Sequence, residues 1–358
     1  MTPRERIKRV LNREPVDRLP VDLWHTAEVG AALREHTRAE TDLEMYRALG
    51  LDKIYWSFLD YRTPDGERAD SQVGAGAGGT RTTWGVPLRG IDAGEAHYDE
   101  FGDAPMREYD DPRSVDAYPF WPDPDRFDYD GALRDAQAAA RDFAVIGPWV
   151  SLFEIYCQLR GLEQSLIDLL VAPQLVEAIL DRVEAIQTGM MKRHLERAAG
   201  SLDLVFVSDD MGTQTGLLMA PETWGRHFRP RMRRWCDLIH SYGLKVLYHT
   251  DGAAEPLIRP LIECGIDVLN PIQHVCPGMD AAALAREYGR DVIFHGGVDN
   301  QHVLPFGTPD DVRREVRMLM STLGAGGEGF ICCSCHNVQA GTPVENVVAM
   351  IETVRTGG

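Results

Sequence analysis

Short apolar runs alternate along this chain with longer amphipathic stretches, and the alternation is most regular beyond Gly131. Strands are expected near residues 20, 53, 144, 204, 245, 268, 292 and 329. Between them the 3.6-residue period predicts helices over 132–141, 152–171, 173–199, 221–242, 256–264, 280–288 and 309–323. Further helices are expected over 3–12, 41–49 and 343–355, the first with Thr2 as cap and Pro3 in its first turn. Strands that alternate with helices of this length form a parallel sheet, because each helix carries the chain back for the next strand. Eight such units close a ring, so the expected fold is a single (β/α)8 TIM barrel spanning 1–358, with an N-terminal helical extension. No strand–GxGxxG–helix occurs, which counts against a dinucleotide-binding fold.

Residues 63–130 break the pattern. They are rich in Gly and Asp, with a glycine run at 74–79 and DDP and PDPD turns. No GK[ST] follows the glycines, so they are not a phosphate loop. The segment is expected to be a long loop or hairpin insertion, a flexible hairpin around 80–88, laid over one end of the fold as an active-site cover.

Bulk composition narrows the function. Lys+Arg 37 against Asp+Glu 55 gives a net charge of −18, which argues against nucleic acid or an anionic membrane as the main partner. No apolar run is long enough to span a bilayer, and the charged N-terminus, without an apolar stretch, is not expected to be a signal peptide. Seven cysteines without a secretory signal read as reduced thiols, and the expected location is the cytoplasm.

The candidate chemistry gathers where strands end, the face on which a barrel carries its active site. The stretch KVLYHTDGAAEP reads as a strand that stops at His249-Thr250-Asp251-Gly252 before a helix. Other strand ends supply Asp60, Asp209, Asp210, Asn270, Gln273, Asp299, Cys335 and His336, with Gln214 in the loop after Asp210. Imidazole and thiolate suit Zn²⁺, and a catalytic zinc keeps three protein ligands and one open position. His249, Asp251 and either Cys335 or His336 make such a set. The plainer alternatives are an ordinary turn around Asp251 and small core residues for the cysteines. Arg160, in QLRGLE, is a candidate for gripping a substrate carboxylate, with a helix ion pair as the alternative.

Several longer motifs point one way: TPRERIKRVLNREPVDRLPV, LFEIYCQLRGLEQSLIDLL, DDMGTQTGLLMAPETWGRHFRPRMRR, KVLYHTDG, IDVLNPIQ, HGGVDNQHVLPFGTP and SCHNVQAGTPVENVVAMIETVR. With these the chain resembles the uroporphyrinogen decarboxylase superfamily, which includes methylcobalamin:coenzyme M methyltransferases. The resemblance covers nearly the whole chain and implies one (β/α)8 barrel with its site at the carboxyl-terminal mouth. The decarboxylase's MRQAGR motif is replaced here by Trp24-His25-Thr26-Ala27-Glu28-Val29-Gly30, without its arginines. The methyltransferase H-x-C-G motif becomes His249-Thr250-Asp251-Gly252, with aspartate for cysteine. Counting back from Gly341-Thr342-Pro343 puts the family's second cysteine on His336, one residue after Cys335.

The resemblance thus implies a zinc-dependent methyltransferase that exchanges a methyl group with a corrinoid (cobalamin) carried by a partner protein. Asp209 and Asp210 would act with His249, and Gln214, Asn270, Gln273, Asp299, Arg160 and Asp60 would hold substrate. A metal-free decarboxylase is the alternative; it would use Asp60 or Asp210 and needs Arg18, Arg62 or Arg160 at the mouth. A binding protein without catalysis is a third reading, and a homodimer is compatible with the superfamily.

Overall fold

The computed structural model describes residues 1–64, 66, 68–69, 81–93 and 96–357. Seven strands form one sheet: Ile54–Trp56 (β1), Ala144–Val150 (β2), Leu204–Ser208 (β3), Lys245–His249 (β4), Val268–Asn270 (β5), Ile293–Val298 (β6) and Phe330–Ser334 (β7). They pair in chain order and in parallel throughout. The strand expected near residue 20 contributes a single parallel bridge, Val21 to Cys332 of β7. Asp22 N–H donates to Cys332 O at 2.8 Å and Cys332 N–H to Pro20 O at 3.0 Å, while Asp52 N–H reaches Val21 O at 2.8 Å. This segment therefore closes the ring between β7 and β1 as its eighth stave.

Its brevity has a local cause. Pro20 has no N–H to give a ladder, and two carboxylates take the place of ladder carbonyls. Asp52 accepts from Val21 N–H at 3.0 Å, and Asp22 accepts from the N–H groups of Leu23 (2.8 Å) and Ile54 (3.1 Å). The other strands are apolar on both faces, as parallel strands under helices must be; β3, β6 and β7 are buried along their whole length. Ile54, Ile146, Leu204, Leu247, Val268, Ile293 and Cys333 fill the barrel, whereas Cys332 belongs to the layer beneath the helices. The N-terminal helix Pro3–Leu11 inserts Ile7, Val10 and Leu11 into that inner cluster. Arg4 pairs with Asp203 at 3.1 Å, just before β3, so this helix plugs the amino end of the barrel and leaves the carboxyl end open.

The helices follow the periodic pattern with two corrections. The helix expected over 152–171 is two, Phe153–Arg160 and Leu162–Val171, hinged at Gly161 with φ +81. The helix expected over 221–242 is also two, Pro221–His227 and Arg229–Ser241, because the ring of Pro230 clashes with a carbonyl one turn back and offers no N–H. A helix the pattern did not predict, Ala27–Thr37, follows the eighth stave. In the insertion the hairpin lies at Leu88–Ala93 and Ala96–Phe101, later than expected. The glycine run at 74–79 lies outside the described residues. The DDP and PDPD segments form 3-10 turns, Pro112–Ala117 and Pro124–Arg126, capped by Asp111 and Asp123. No helix among the described residues is long and apolar enough to cross a membrane.

Candidate active site

A cavity of about 810 Å³ opens at the carboxyl ends of the strands. Its walls are mainly aromatic, with Trp24, Trp56, Trp149 and Phe206 from the barrel and Trp84 and Phe101 from the insertion, which covers this end as expected. The polar lining includes Lys53, Glu154, Ser208, Asp210, His249 and His336, and no arginine lines it among the described residues. Trp24, Trp56 and Phe206 meet as a corner, mutually inclined by 69–70° with ring centroids 4.4–5.9 Å apart.

His249, the last residue of β4, stands at the edge of this corner. Its side chain converges with those of Asp251 and His336, each offering one ligand atom within 4.8 Å of the others. His249 Nε2 lies 4.0 Å from Asp251 Oδ1 and 3.7 Å from Asp210 Oδ1. Burial lowers the pKa of His336, aided by the His249 ring and opposed by Asp251 and Asp210, so His336 favours the neutral form that ligates metals. Burial raises the Asp251 carboxyl, a cost that His249 and His336 reduce. A cation here would reduce it further, so the donor chemistry fits a divalent metal. Asp251 is held in place by backbone: Asp210 Oδ1 accepts its N–H at 2.9 Å. A Cβ on Gly212 would meet Asp251 O at 2.4 Å, and Gly252 has φ +80, so only glycines let these two loops touch.

Cys335 is outside the convergent set. Its thiol faces Ile272 O at 3.5 Å, and burial, with the charges of Glu315, Asp251 and Asp299, pushes its pKa well up. The strand β7 ends at Ser334, and beyond it alternation no longer sets direction: the Cys335 thiol turns to Ile272, and His336 meets His249.

Asp209 and Asp210 part company. Asp209 Oδ1 accepts from Ser151 Oγ (2.7 Å) and from the N–H groups of Leu152 (3.0 Å), Phe153 (2.6 Å) and Glu154 (3.1 Å). It ties down the start of the helix Phe153–Arg160 and does not line the cavity, which corrects its expected catalytic place. Burial pushes its carboxyl up to about 7 against these donors. The helix it holds delivers Glu154, a residue that helical spacing alone could not single out. Glu154 accepts from the Ser208 hydroxyl, while burial and the charges of Asp210 and Asp209 push its carboxyl well above the usual range.

The remaining candidates scatter. Asn270 lies behind His249, with Oδ1 at 2.5 Å from His249 Nδ1, and is fully buried. Gln273 accepts from Gly252 N–H and donates to Gln214 Oε1, both at 2.9 Å, clasping loops together. Asp299 accepts from the N–H groups of Gln301 (2.7 Å) and His302 (3.1 Å). Asp60 lines an adjoining depression with Asp128 and Asp135. Arg160 is buried: it pairs with Asp168 at 2.5 Å and donates to the carbonyls of Met106, Arg107 and Tyr109. Its fork is spent, so it is not a carboxylate grip for substrate. Arg18 pairs with Asp52 at 2.6 Å, and neither it nor Arg62 lines the cavity.

Missed in the sequence was the buried set Asp22, Lys53 and His295. Asp22 Oδ1 accepts from Lys53 Nζ at 3.0 Å, and Asp22 Oδ2 lies 3.1 Å from His295 Nε2. Burial works against the Asp22 carboxylate, yet Lys53 and His295 hold it well below the usual range. An acid and a lysine inside strand-like runs, VDL and DKI, were the available signal.

The family model of uroporphyrinogen decarboxylase (URO-D) matches residues 128–357. A search of curated proteins finds no match. Among solved structures, a methyltransferase from Methanosarcina mazei superposes with a TM-score of 0.70 at 16% identity, over 100% of this chain and 99% of that one. A GH10 xylanase with a bacterial Ig-like domain, from termite gut, gives 0.43 at 9% identity over 64% of each chain. A psychrophilic glycoside hydrolase family 10 endo-β-1,4-xylanase gives 0.40 at 12% identity, over 62% of this chain and 82% of that one. The likeness to the methyltransferase is one of fold, and it agrees with the barrel built above. With its family model spanning more than half of the sequence, this chain belongs to the uroporphyrinogen decarboxylase (URO-D) family.

Proposed function

We propose that the chain is a zinc-dependent methyltransferase that moves a methyl group to or from a corrinoid carried by a partner protein. The observation that carries this reading is the convergence of His249, Asp251 and His336 at the edge of an aromatic cavity that no arginine lines among the described residues. Zinc held there would act as a Lewis acid, on the methyl acceptor or on an ether or phenolic oxygen. The chain's own residues do the rest. The aromatic walls exclude water, Asp210 orients the Asp251 loop, and Glu154, whose carboxyl burial and the neighbouring aspartates push up, lines the cavity as the candidate proton donor to a leaving oxygen. The methyltransferase from Methanosarcina mazei supports the reading only as a barrel of the same fold. Seven unpaired cysteines suit the cytoplasm. The decarboxylase alternative needs a guanidinium, and Arg18, Arg62 and Arg160 are all away from the lining.

Elemental analysis of the purified full-length protein is expected to find one zinc per chain. His336→Ala should lose it and Cys335→Ala should keep it; the reverse pattern would make Cys335 the ligand. Methyl transfer from methylcobalamin, as stand-in donor, should stop on chelation and return with added zinc. Metal-free protein with full activity would overturn the proposal. Gly212→Ala is expected to push the Asp251 loop away and weaken zinc binding in a chelator competition. Unchanged affinity would show that the close approach of the two loops does not position Asp251.

A further inference from the structure

We propose that Asn270 is a positioning residue whose amide fixes the tautomer of His249 and anchors it to the buried Asp22–Lys53 pair. The inference rests on the reading of His249 as a metal ligand. His249 Nδ1 lies 2.5 Å from Asn270 Oδ1, and a carbonyl oxygen only accepts. The proton therefore sits on Nδ1 and leaves the Nε2 lone pair toward Asp251 and His336. The other half of the amide agrees: Asn270 Nδ2 donates to His295 Nδ1 at 2.7 Å, so His295 is protonated on Nε2. That N–H meets Asp22 Oδ2 at 3.1 Å.

The direction of the whole chain is set at its far end. Asp22 already accepts from Lys53 Nζ, Trp24 Nε1 and the N–H groups of Leu23 and Ile54, so it acts as an acceptor for His295 too. Asp22, Asn270 and His295 are each fully buried, and no water competes for these groups. Asp22, His295 and Cys333 also converge as a possible ligand set, but Lys53 already supplies the cation there. Turning the amide over would place two acceptors, Asn270 Oδ1 and His295 Nδ1, against each other unless His295 took a second proton. It would then put the His249 proton on Nε2, where it blocks a metal. Partners behind a metal-bound histidine orient the ring and raise its basicity, and their loss costs about 10–100-fold in metal affinity.

The test reads the tautomer in metal-free protein labelled with ¹⁵N-histidine, by long-range ¹H–¹⁵N correlation. His249 should show a protonated Nδ1 and a bare Nε2. Asn270→Ala should mix the tautomers and weaken zinc about 10–100-fold in chelator competition. Asn270→Asp keeps an acceptor for His249 and should restore both readouts. Thermal unfolding followed in parallel separates this from loss of fold, and the wild-type spectrum decides even if Asn270→Ala does not fold. A proton on His249 Nε2 in the wild type, or unchanged tautomer and zinc affinity in Asn270→Ala, overturns the proposal. Wild-type protein that binds no zinc overturns the metal reading, and the tautomer measurement stands apart from it.

Discussion

Replacing His249 by alanine is expected to leave the protein folded, free of zinc and without methyl transfer. The side chain ends β4 with its ring at the cavity wall, against Trp24 and Phe206 at centroid distances of 5.9 and 5.7 Å. It is the member of the candidate ligand set that the scaffold holds most firmly, fixed on a strand and backed by Asn270, whereas Asp251 and His336 sit on loops. Removing it takes away a ligand outright, so the loss in zinc affinity should exceed the about 10–100-fold typical of removing a partner behind a ligand. Elemental analysis and the methylcobalamin assay read the result together. A His249→Ala protein with stoichiometric zinc and wild-type turnover would end the assignment of the centre.

Arg160→Ala should act on stability instead. The guanidinium is enclosed, paired to a buried Asp168, and the carbonyls of Met106, Arg107 and Tyr109 all accept from it. Breaking a buried pair leaves an uncompensated charge, which costs about 3–5 kcal/mol. Urea unfolding is expected to show a loss of that size. Arg160→Lys should not recover it, because an ammonium lacks the planar fork that reaches carboxylate and carbonyls at once. The segment after the hairpin, which brings Phe101 to the cavity, hangs on these carbonyls, so KM should shift only as far as the fold loosens. A variant of native stability with a sharply raised KM would return Arg160 to substrate binding.

The two residues illustrate where sequence reasoning holds and where it fails. Arg160 and His249 both looked like functional polar residues at element ends. Only the packing tells them apart, because Asp168, eight positions further on, is brought onto Arg160 by the hinge at Gly161. The same applies to Asp209 and Asp210. They are adjacent just beyond the end of β3, their chemistry is identical, and the pattern cannot say which one reaches the cavity. Asp210 faces the cavity, and Asp209 becomes the anchor of the helix carrying Glu154.

The barrel was legible because its cause is local and repeated. Apolar strands, helix caps such as Thr41 with Glu44, and the alternation of the two periods each act over a few residues. Strand ends follow from that count, and with them the face on which His249, Asp251 and His336 lie. What the sequence by itself determined is thus the fold class and the ring of candidates. The tertiary structure alone decided which candidates meet. Their meeting depends on the twist of loops between strands, on glycines that let Gly212 and Gly252 touch, and on hydrogen bonds such as His249 to Asn270, 21 positions apart. Such contacts leave no period in the chain, because the atoms that make them are neighbours only in space.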